Sequence, residues 1–306
     1  VTTIGTYAFQ NLSSITKIVV PDTVTEIGEG AFYGCSALED ITLPFIGKTA
    51  TSNESRQAVF GYIFGKHSGE VSSSASSKPA GTTYQGWGKY SDSYLIKGTY
   101  GYNYGYSSYY YADYYYIPTS IRNVTITSDT TIPYGAFQNC DFIESITIPT
   151  NTTSIAAFAF KNCNGLTEMN LGTALTSIGQ YAFHGCISLE KVTIPNTVSS
   201  MGSYVFSGCI SLKRMNSTTD GVITLPTSLT VIPSYAFNGC TEITKVVVGD
   251  ITEIQSYAFS GCESITQFNS DNADELIIPS GVTTIGTYAF QNLSSITKIV
   301  VPDTVT

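Results

Sequence analysis

The sequence contains few charged residues and no long apolar run. Charged residues make up only 12% of its 306 positions, well below the usual quarter, and Thr, Ser, Asn and Tyr supply the polarity instead. No apolar stretch approaches the roughly 18 residues of a transmembrane helix, so we expect no membrane span in this segment. The net charge of −9 argues against a nucleic acid as partner.

Signatures of catalysis are also missing. There is no H-E-x-x-H, G-x-S-x-G, phosphate-binding loop or G-x-G-x-x-G motif. His184 takes a repeat position otherwise filled by Gln, Tyr, Lys, Ser or Asn, which predicts a surface residue. An active site would have to lie around Lys66, His67 and Glu70, where no motif supports one. We therefore expect neither an enzyme nor a cofactor.

Metal-ligand spacing such as C-x-x-C is absent from the seven cysteines. All seven take one position of a short repeat, three residues after a phenylalanine, and Leu12 and Leu293 take it in the first and last copies. Exchange with leucine indicates an apolar position, so we expect a core ladder of buried free thiols, with disulfides or a metal as the alternatives. This cysteine ladder comprises Cys35, Cys140, Cys163, Cys186, Cys209, Cys240 and Cys262.

The short repeat is about 23 residues long, which is typical of a solenoid. In the fullest copy, residues 175–198, the spacing of Leu189, Val192 and Ile194 predicts a strand with one face inward. Pro195 then ends the strand, because proline cannot donate to a sheet ladder. Stacked copies would join these strands into a long parallel sheet.

The other half of each copy is expected to form a short helical turn, with Ile178, Ala182 and Phe183 as its apolar residues in the fullest copy. The residue before the cysteine position is Gly or Asn in all nine copies. These two residue types tolerate a left-handed backbone, so we expect them to close the helical turn. They are Asn11, Gly34, Asn139, Asn162, Gly185, Gly208, Gly239, Gly261 and Asn292.

Three insertions interrupt the repeat. We divide the chain into repeat turns over 1–44, a Tyr/Gly/Ser-rich insertion within the solenoid over 45–116, and repeat turns over 117–306. The strand pattern stops before the large insertion and resumes after it, so we expect the sheet to continue beneath it. Residues 216–223 and 269–276 add about eight residues each and are expected to form loops or small hairpins.

The large insertion holds ten of the chain's 22 tyrosines within residues 100–116. Tyrosine offers a stiff amphipathic contact at low entropic cost and is enriched at interfaces. These residues form either a contact patch, for a sibling fibre, a host protein or a sugar, or a low-complexity cover over the solenoid. They are Tyr100, Tyr102, Tyr104, Tyr106, Tyr109, Tyr110, Tyr111, Tyr114, Tyr115 and Tyr116.

Acidic residues cluster in the last insertion, at Asp271, Asp274 and Glu275. A calcium site needs about six to eight oxygen ligands, and no EF-hand spacing is present. We therefore expect a solvated acidic loop here, with calcium as the alternative.

The first 25 residues return unchanged as residues 282–306, an offset of 281 residues. A window cut from a tandem array has this property, so we expect a longer polypeptide made of 281-residue units. With nine strands in each unit, spaced about 4.8 Å apart, the axial period would be about 43 Å.

The unit I-G-x-Y-A-F-x-G-C-x-S-L-x-x-V-T-I-P resembles the BspA-like leucine-rich repeat, also called the Treponema pallidum type, over most of the chain. The segment ITLPFIG…FGYIFG…YYIPTSIRNVTIT resembles an insertion in members from gut Bacillota. The resemblance implies a solenoid with a short parallel β-sheet on one face and short helical turns on the other. It also implies a surface or secreted protein of a bacterium, or alternatively of a parasitic protist. Characterised relatives are associated with adhesion to host matrix proteins and with coaggregation, and no catalytic residues belong to the family.

Two functions fit these features. The first is a structural segment of a long extracellular solenoid that forms a fibre or surface stalk, with neighbouring copies of the repeat as partners. The alternative is a cell-surface adhesin that binds a host matrix protein or glycan through the Tyr-rich insertion. Both place the protein outside the cell or on its surface.

Overall fold

The computed structural model describes residues 1–51, 57–65, 82–87 and 113–306, which contain 23 short strands and one 3-10 helix, Phe60–Phe64. Regular structure is therefore almost entirely β. The strands are β1 Thr3–Ile4, β2 Lys17–Val19, β3 Glu26–Ile27, β4 Asp40–Leu43, β5 Thr82–Trp87, β6 Asp113–Pro118, β7 Asn123–Ile126, β8 Thr131–Ile132, β9 Ser145–Thr147, β10 Ser154–Ile155, β11 Glu168–Asn170, β12 Ser177–Ile178, β13 Lys191–Thr193, β14 Ser200–Met201, β15 Arg214–Met215, β16 Val222–Thr224, β17 Val231–Ile232, β18 Lys245–Val247, β19 Glu253–Ile254, β20 Gln267–Phe268, β21 Glu275–Ile277, β22 Thr284–Ile285 and β23 Lys298–Val300.

Twelve of these strands form one parallel sheet, in the order β2-β4-β7-β9-β11-β13-β15-β16-β18-β20-β21-β23. Successive strands pair at the same repeat position, as Glu168 of β11 does with Lys191 of β13. Leu189 and Val192 are fully buried, whereas Thr193 is exposed on the other face of the sheet. The parallel-sheet solenoid expected from the sequence is thus confirmed.

The opposite side of each copy, here called the turn face, consists of single turns rather than helix. Within one copy, the His184 N–H donates to the Tyr181 carbonyl (3.2 Å) and closes a local turn. The N–H before it, on Phe183, donates instead to the Val205 carbonyl of the following copy (2.9 Å). Every second N–H thus bonds to a neighbouring copy, so the expected short helical turns do not extend into helix.

Two left-handed residues in each copy impose this alternation. The first is the Gly or Asn before the cysteine position, left-handed in all nine copies from Asn11 (φ 62°) to Asn292 (φ 67°), which confirms the prediction. The second lies two residues before the phenylalanine and was not predicted. It is aromatic in most copies, as at Tyr204 (φ 61°), and glycine in two, as at Gly135 (φ 62°). A left-handed residue cannot continue a right-handed helix, so no helix forms.

The phenylalanines of the turn face stack in a column inside the solenoid. Where two copies follow each other directly, their ring centroids are 5.0 to 5.9 Å apart, and the ring planes differ by 4 to 11°. Offset stacking of this kind is the favoured arrangement of aromatic pairs. In the middle of the chain the ring of Phe183 is fully buried, so this column is a main part of the core.

The main sheet continues without a gap across the large insertion. β4 pairs directly with β7 over four residues, from Asp40↔Asn123 to Leu43↔Ile126. The Asn123 side-chain amide also donates to the Asp40 carboxylate (2.8 Å). The insertion therefore leaves the sheet intact.

The two small insertions each add a strand to the main sheet, so the expected loops or hairpins are wrong. After β15 the chain forms a loop that returns to the start of the sheet edge. β16 then runs parallel to β15 and pairs with it, with Arg214 opposite Val222. The Asn216 side chain holds this turn, because its Oδ1 accepts the Ile194 N–H (2.8 Å) and its Nδ2 donates to the Thr224 carbonyl (3.0 Å). The second small insertion adds β21 beside β20 in the same way.

One 281-residue unit therefore contributes more strands than expected. Because β23 repeats β2, the unit supplies eleven of the twelve strands in the main sheet, rather than nine. At about 4.8 Å per strand this face of the unit is about 53 Å long. The turn face has nine layers in each unit, which are the eight repeat phenylalanines before Phe290 and the 3-10 helix.

A buried carboxylate attaches the beginning of the large insertion to the solenoid. Asp129 is 3% exposed and accepts the N–H of Ile46 (2.8 Å). Burial raises the pKa of Asp129 to about 7, although the Ile46 N–H opposes the shift. Because the folded-state pKa lies above the unfolded one, the stability that this group contributes is complete below about pH 4. It is lost as the pH rises to about 7.

We expect Asp129→Asn to remove this pH dependence, since an amide oxygen can still accept the Ile46 N–H but carries no charge. Above pH 7 the variant should be more stable than the wild type by about 2 to 4 kcal/mol. The measurement is guanidinium denaturation at intervals from pH 4 to pH 8. Asp303→Asn, an exposed change of the same charge, serves as the control. Parallel pH profiles for the wild type and Asp129→Asn would show this account to be incorrect.

Candidate functional site

The large insertion is rooted in the turn face through the 3-10 helix Phe60–Phe64, which replaces one regular turn. The Phe32 N–H donates to the Ile63 carbonyl, and the Phe60 N–H donates to the Ala136 carbonyl (both 2.9 Å). The Phe60 ring lies 5.2 Å from that of Phe137 and is fully buried. The 3-10 helix therefore provides the hydrogen bonds and the aromatic ring of the regular turn that it replaces.

The insertion returns to the solenoid through β6, which pairs with β5 in an antiparallel arrangement. The Tyr116 N–H donates to the Gly65 carbonyl (3.1 Å), so the end of the insertion lies close to the end of the 3-10 helix. Tyr115 packs near Tyr62 and Tyr116 near Tyr33, with centroid distances of 6.2 and 6.1 Å.

The structure describes only part of the candidate contact patch. Tyr115 and Tyr116 are 1% and 8% exposed, so these two side chains pack inside the protein and do not form an exposed surface. Tyr114 also lies in β6, but only its backbone is described. The other seven lie outside the described residues and stay a prediction: Tyr100, Tyr102, Tyr104, Tyr106, Tyr109, Tyr110 and Tyr111.

A second aromatic column runs along the turn face, here called the tyrosine ladder. It consists of the left-handed aromatic residues two positions before the phenylalanines. Between Tyr181, Tyr204, Tyr235 and Tyr257 the centroid distances are 4.3 to 4.5 Å and the ring planes are nearly parallel. The sequence did contain a signal for this left-handed position, because tyrosine interchanges there with glycine, which favours a left-handed backbone.

The stacking of the tyrosine ladder limits what it can bind. From Tyr181 to Tyr257 the rings face one another, so the faces of the inner rings are covered by their neighbours. A sugar that stacks on an aromatic face has no free platform on these rings. The ladder therefore acts in packing between the copies.

His184 and Lys161 lie beside the tyrosine ladder, one copy apart. His184 is half-buried between Tyr181 and Tyr204, so its assignment to the surface is wrong. Burial, followed by the nearby Lys161, lowers the pKa of His184. Lys161 is 6% exposed, and its Nζ lies 5.3 Å from the Phe158 ring and 5.4 Å from the Tyr181 ring, which places it in cation–π contact.

These two side chains do not form a catalytic arrangement. The buried Nδ1 of His184 has no hydrogen-bond partner in the structure, so it lacks the carboxylate contact that commonly orients a histidine general base. The other candidates, Lys66, His67 and Glu70, lie outside the described residues.

The cysteine ladder is buried, and all seven thiols are free. Six of them also donate to the phenylalanine carbonyl of an earlier turn, as Cys186 Sγ does to Phe160 O (3.0 Å). Sequence reasoning treated these residues as small apolar side chains and missed this bond, because leucine at the same position cannot make it. Burial raises the pKa of the Cys186 thiol to about 12, and that of the other six in the same direction.

The acidic cluster in the last insertion is only partly solvated, because Asp271 is exposed as expected whereas Glu275 is buried. Glu275 is 3% exposed. Its carboxylate contacts the Lys298 Nζ (2.5 Å), the Ser270 Oγ (2.5 Å) and the Asn272 Nδ2 (2.7 Å). These contacts lower the pKa of Glu275 to about 2. Asp271 pairs with Lys245 (2.7 Å). In the part of the chain that the structure describes, no group of three metal-ligating residues is found.

A shallow groove of about 350 Å³ crosses the exposed face of the main sheet between β9 and β11. Its two carboxylates are already paired, Glu144 with Arg122 (3.1 Å) and Glu168 with Lys191 (2.5 Å). The remaining lining is mostly hydroxyl and apolar side chains, without a histidine or a cysteine. The groove therefore offers no activated nucleophile.

Comparison with known proteins agrees with this architecture. The model of the BspA type leucine rich repeat region matches in six copies over residues 1–56, 130–266 and 266–306. The chain belongs to the BspA type leucine-rich repeat family. Membership of this repeat family indicates no enzyme family. A search of curated proteins finds no match.

Several solved structures of bacterial leucine-rich repeat proteins are similar to this BspA-type chain. A protein from Bacteroides ovatus is 21% identical, with 100% of this chain and 78% of that chain covered and a TM-score of 0.46. The T. pallidum Leucine Rich Repeat protein is 19% identical, with coverages of 86% and 82% and a TM-score of 0.42. A leucine rich cell surface protein from Faecalibacterium prausnitzii is 19% identical, with coverages of 98% and 82% and a TM-score of 0.32.

The described part of this BspA-type chain contains no helix with the length and apolar character that a bilayer crossing requires.

We expect the seven thiols to be unreactive toward DTNB in the folded protein and to react fully in guanidinium, because only an accessible thiolate is a nucleophile. Ile187→Cys places an eighth thiol beside Cys186 at a position that is 45% exposed, and should add one reactive thiol under native conditions. Rapid labelling of Cys186 itself in the folded wild type, located by mass spectrometry, would contradict the buried ladder.

Proposed function

We propose that this chain is a non-catalytic structural segment of a long extracellular solenoid, which forms a fibre or a surface stalk. The observation that carries the proposal is the repetition of residues 1–25 at 282–306 within one continuous sheet. The two copies supply β2 and β23, which are the first and last strands of that sheet. A 281-residue unit that is followed by the same turn with which it began can be repeated without a change of register.

The chemistry of the chain supports a scaffold. Backbone groups bond from copy to copy, and apolar side chains stack in continuous columns, so each added unit extends the same core. The carboxylates described at the groove and at Glu275 are paired with lysine or arginine. An extracellular position is supported by membership of the BspA-type family and by the likeness to a leucine rich cell surface protein.

Electron microscopy of the native protein tests the proposal. We expect a thin fibre whose axial period lies between about 43 Å, from nine layers on the turn face, and about 53 Å, from eleven strands on the sheet face. The width would show whether one solenoid or several lie side by side. Short separate particles without a period would refute the structural role.

A second function is adhesion through the large insertion, and it is favoured by the position of the insertion outside the main sheet. The main sheet passes beneath it without interruption, so every unit would display the same insertion at the same place. Repeated display gives avidity without strong affinity at a single site. The ligand would be a host matrix protein or a glycan.

Deletion of residues 66–112 tests this second function. Gly65 and Tyr116 are joined by a hydrogen bond of 3.1 Å, so a short Gly-Ser linker from Gly65 to Asp113 can close the gap and keep the 3-10 helix. We expect the deletion to abolish binding to matrix-coated surfaces and host cells while the circular dichroism spectrum remains that of a folded solenoid. Undiminished binding by the folded deletion variant would exclude the insertion as the adhesive element.

A further inference from the structure

The exposed face of the main sheet carries a row of side chains at the first position of its strands, here called the charge row. Residues of this row pair in register from strand to strand, as Glu168 of β11 does with Lys191 of β13. The residue that follows each of them points into the core, as the fully buried Val192 does. From β4 to β18, none of the side chains in the charge row is buried, so the row is open to a partner.

The charge row divides into two halves of opposite sign. In β4 to β11 it contains two carboxylates and no cation: Asp40, Asn123, Ser145 and Glu168. In β13 to β18 it contains three cations and no carboxylate: Lys191, Arg214, Val222 and Lys245. The sign changes between Glu168 and Lys191, whose side chains pair at 2.5 Å and are 56% and 35% exposed.

Charged residues that stand just before these strands, or that pair with the charge row, leave this polarity in place. With them the acidic half has four carboxylates and one cation, and the basic half has four cations and three carboxylates. The carboxylates of the basic half are all paired within it: Glu190 with Lys213 (2.9 Å), Asp220 with Arg214 (3.2 Å) and Asp271 with Lys245 (2.7 Å). The acidic half therefore keeps the larger net charge, and the basic half stays positive.

One two-fold arrangement of two copies sets the acidic half against the basic half. When two of these faces meet, an axis parallel to the strands and between β11 and β13 reverses the order of the strands and keeps their direction. Charge row then faces charge row, with Glu168 opposite Lys191 of the second copy and Asp40 opposite its Lys245. An axis parallel to the solenoid would instead set the charge row against the uncharged row two residues further along each strand, which includes Asn170.

The same axis also accommodates the cation of the acidic half. Arg122 stands just before β7, and the axis places β7 opposite β16 of the second copy, which Asp220 precedes. Arg122 thus meets a carboxylate. At the axis itself, the two Glu168–Lys191 pairs lie side by side in opposite directions, so each lysine has a carboxylate on two sides. Ionic networks contribute more than isolated surface pairs.

We propose that the exposed face of the main sheet binds the same face of a second copy of this chain, antiparallel, about the two-fold axis between β11 and β13. The charge complementarity selects this partner, because the pattern of the row fits its own reverse. The inference goes beyond the proposed function. The contact lies within one 281-residue unit and joins solenoids side by side, so it does not require that units repeat along one polypeptide.

The size of the contact makes it weak for a single unit. Eight strands at about 4.8 Å each span about 38 Å, and two rows of side chains are about 12 Å wide. The contact would cover about 450 Å² per copy, against about 800 Å² in a stable complex. Because β16 adds a strand to this face alone, the sheet curves away beyond β15, and the pairs nearest the axis carry most of the contact. Polypeptides with several units would bind through several such contacts at once.

Small-angle X-ray scattering of this chain, at concentrations up to 1 mM in 20 mM and 300 mM NaCl, tests the association. We expect a dimer of unchanged length and larger cross-section at low salt. The dissociation constant should rise at least tenfold at high salt, which screens exposed charges. A chain that is still monomeric at 1 mM in 20 mM NaCl, or a dimer that has grown in length alone, overturns the inference.

Two charge reversals test the position of the axis. In Lys191→Glu two carboxylates meet across the axis, and in Glu168→Lys two cations meet there, so each variant alone should stay monomeric. An equimolar mixture of the two variants should associate as the wild type does, because each side chain at position 168 then faces the opposite charge at position 191. Circular dichroism checks that both variants are folded. A mixture that stays monomeric contradicts the antiparallel contact.

Lys48→Glu and Glu26→Lys are the matched control. This pair also joins neighbouring copies (3.3 Å), and its side chains are 34% and 44% exposed, but Glu26 lies in β3, outside the main sheet. Each control variant should associate like the wild type, alone or mixed. An equal loss in both sets of variants would show that the sheet face is not the contact. Native particles without an axial period would refute the proposed fibre and leave this contact in place.

Discussion

The whole structure depends on one constraint, which is that every second backbone N–H of the turn face bonds to the next copy. The N–H groups between them close local turns, as His184 does on Tyr181. This division satisfies the backbone in a buried segment that has no helix and no long strand. It also places equivalent side chains directly above one another, and the phenylalanine, tyrosine and cysteine columns follow from that spacing.

The same constraint explains how the solenoid accepts insertions of very different length. An inserted segment only has to form the backbone hydrogen bonds that a regular copy would form with the copies on either side. The 3-10 helix does so with the Phe60 N–H and the Ile63 carbonyl. The small insertions do so with a three-residue strand, and in the first of them the Asn216 side chain holds the turn before that strand. Insertions therefore change the surface while the stack of copies persists.

Sequence reasoning identified the features that repeat with a period. The alternation of Val192 with Thr193 predicted the sheet, and the Gly or Asn before each cysteine predicted the left-handed position. Sequence reasoning failed at positions where the usual behaviour of one residue type predicted the wrong backbone conformation or the wrong exposure. Aromatic residues such as Tyr204 rarely adopt a left-handed backbone, and the burial of Glu275 depends on contacts with Ser270, Asn272 and Lys298 that no sequence motif marks.

The unequal number of layers on the two faces has a mechanical consequence. Between β15 and β18 the sheet advances by two strand spacings, about 9.6 Å, whereas the Phe206 and Phe237 rings on the other side are 5.7 Å apart. Each small insertion thus acts as a wedge that bends the axis toward the turn face. Two wedges recur in each unit, so the axis curves twice per unit, with the main sheet on the outer side of each bend.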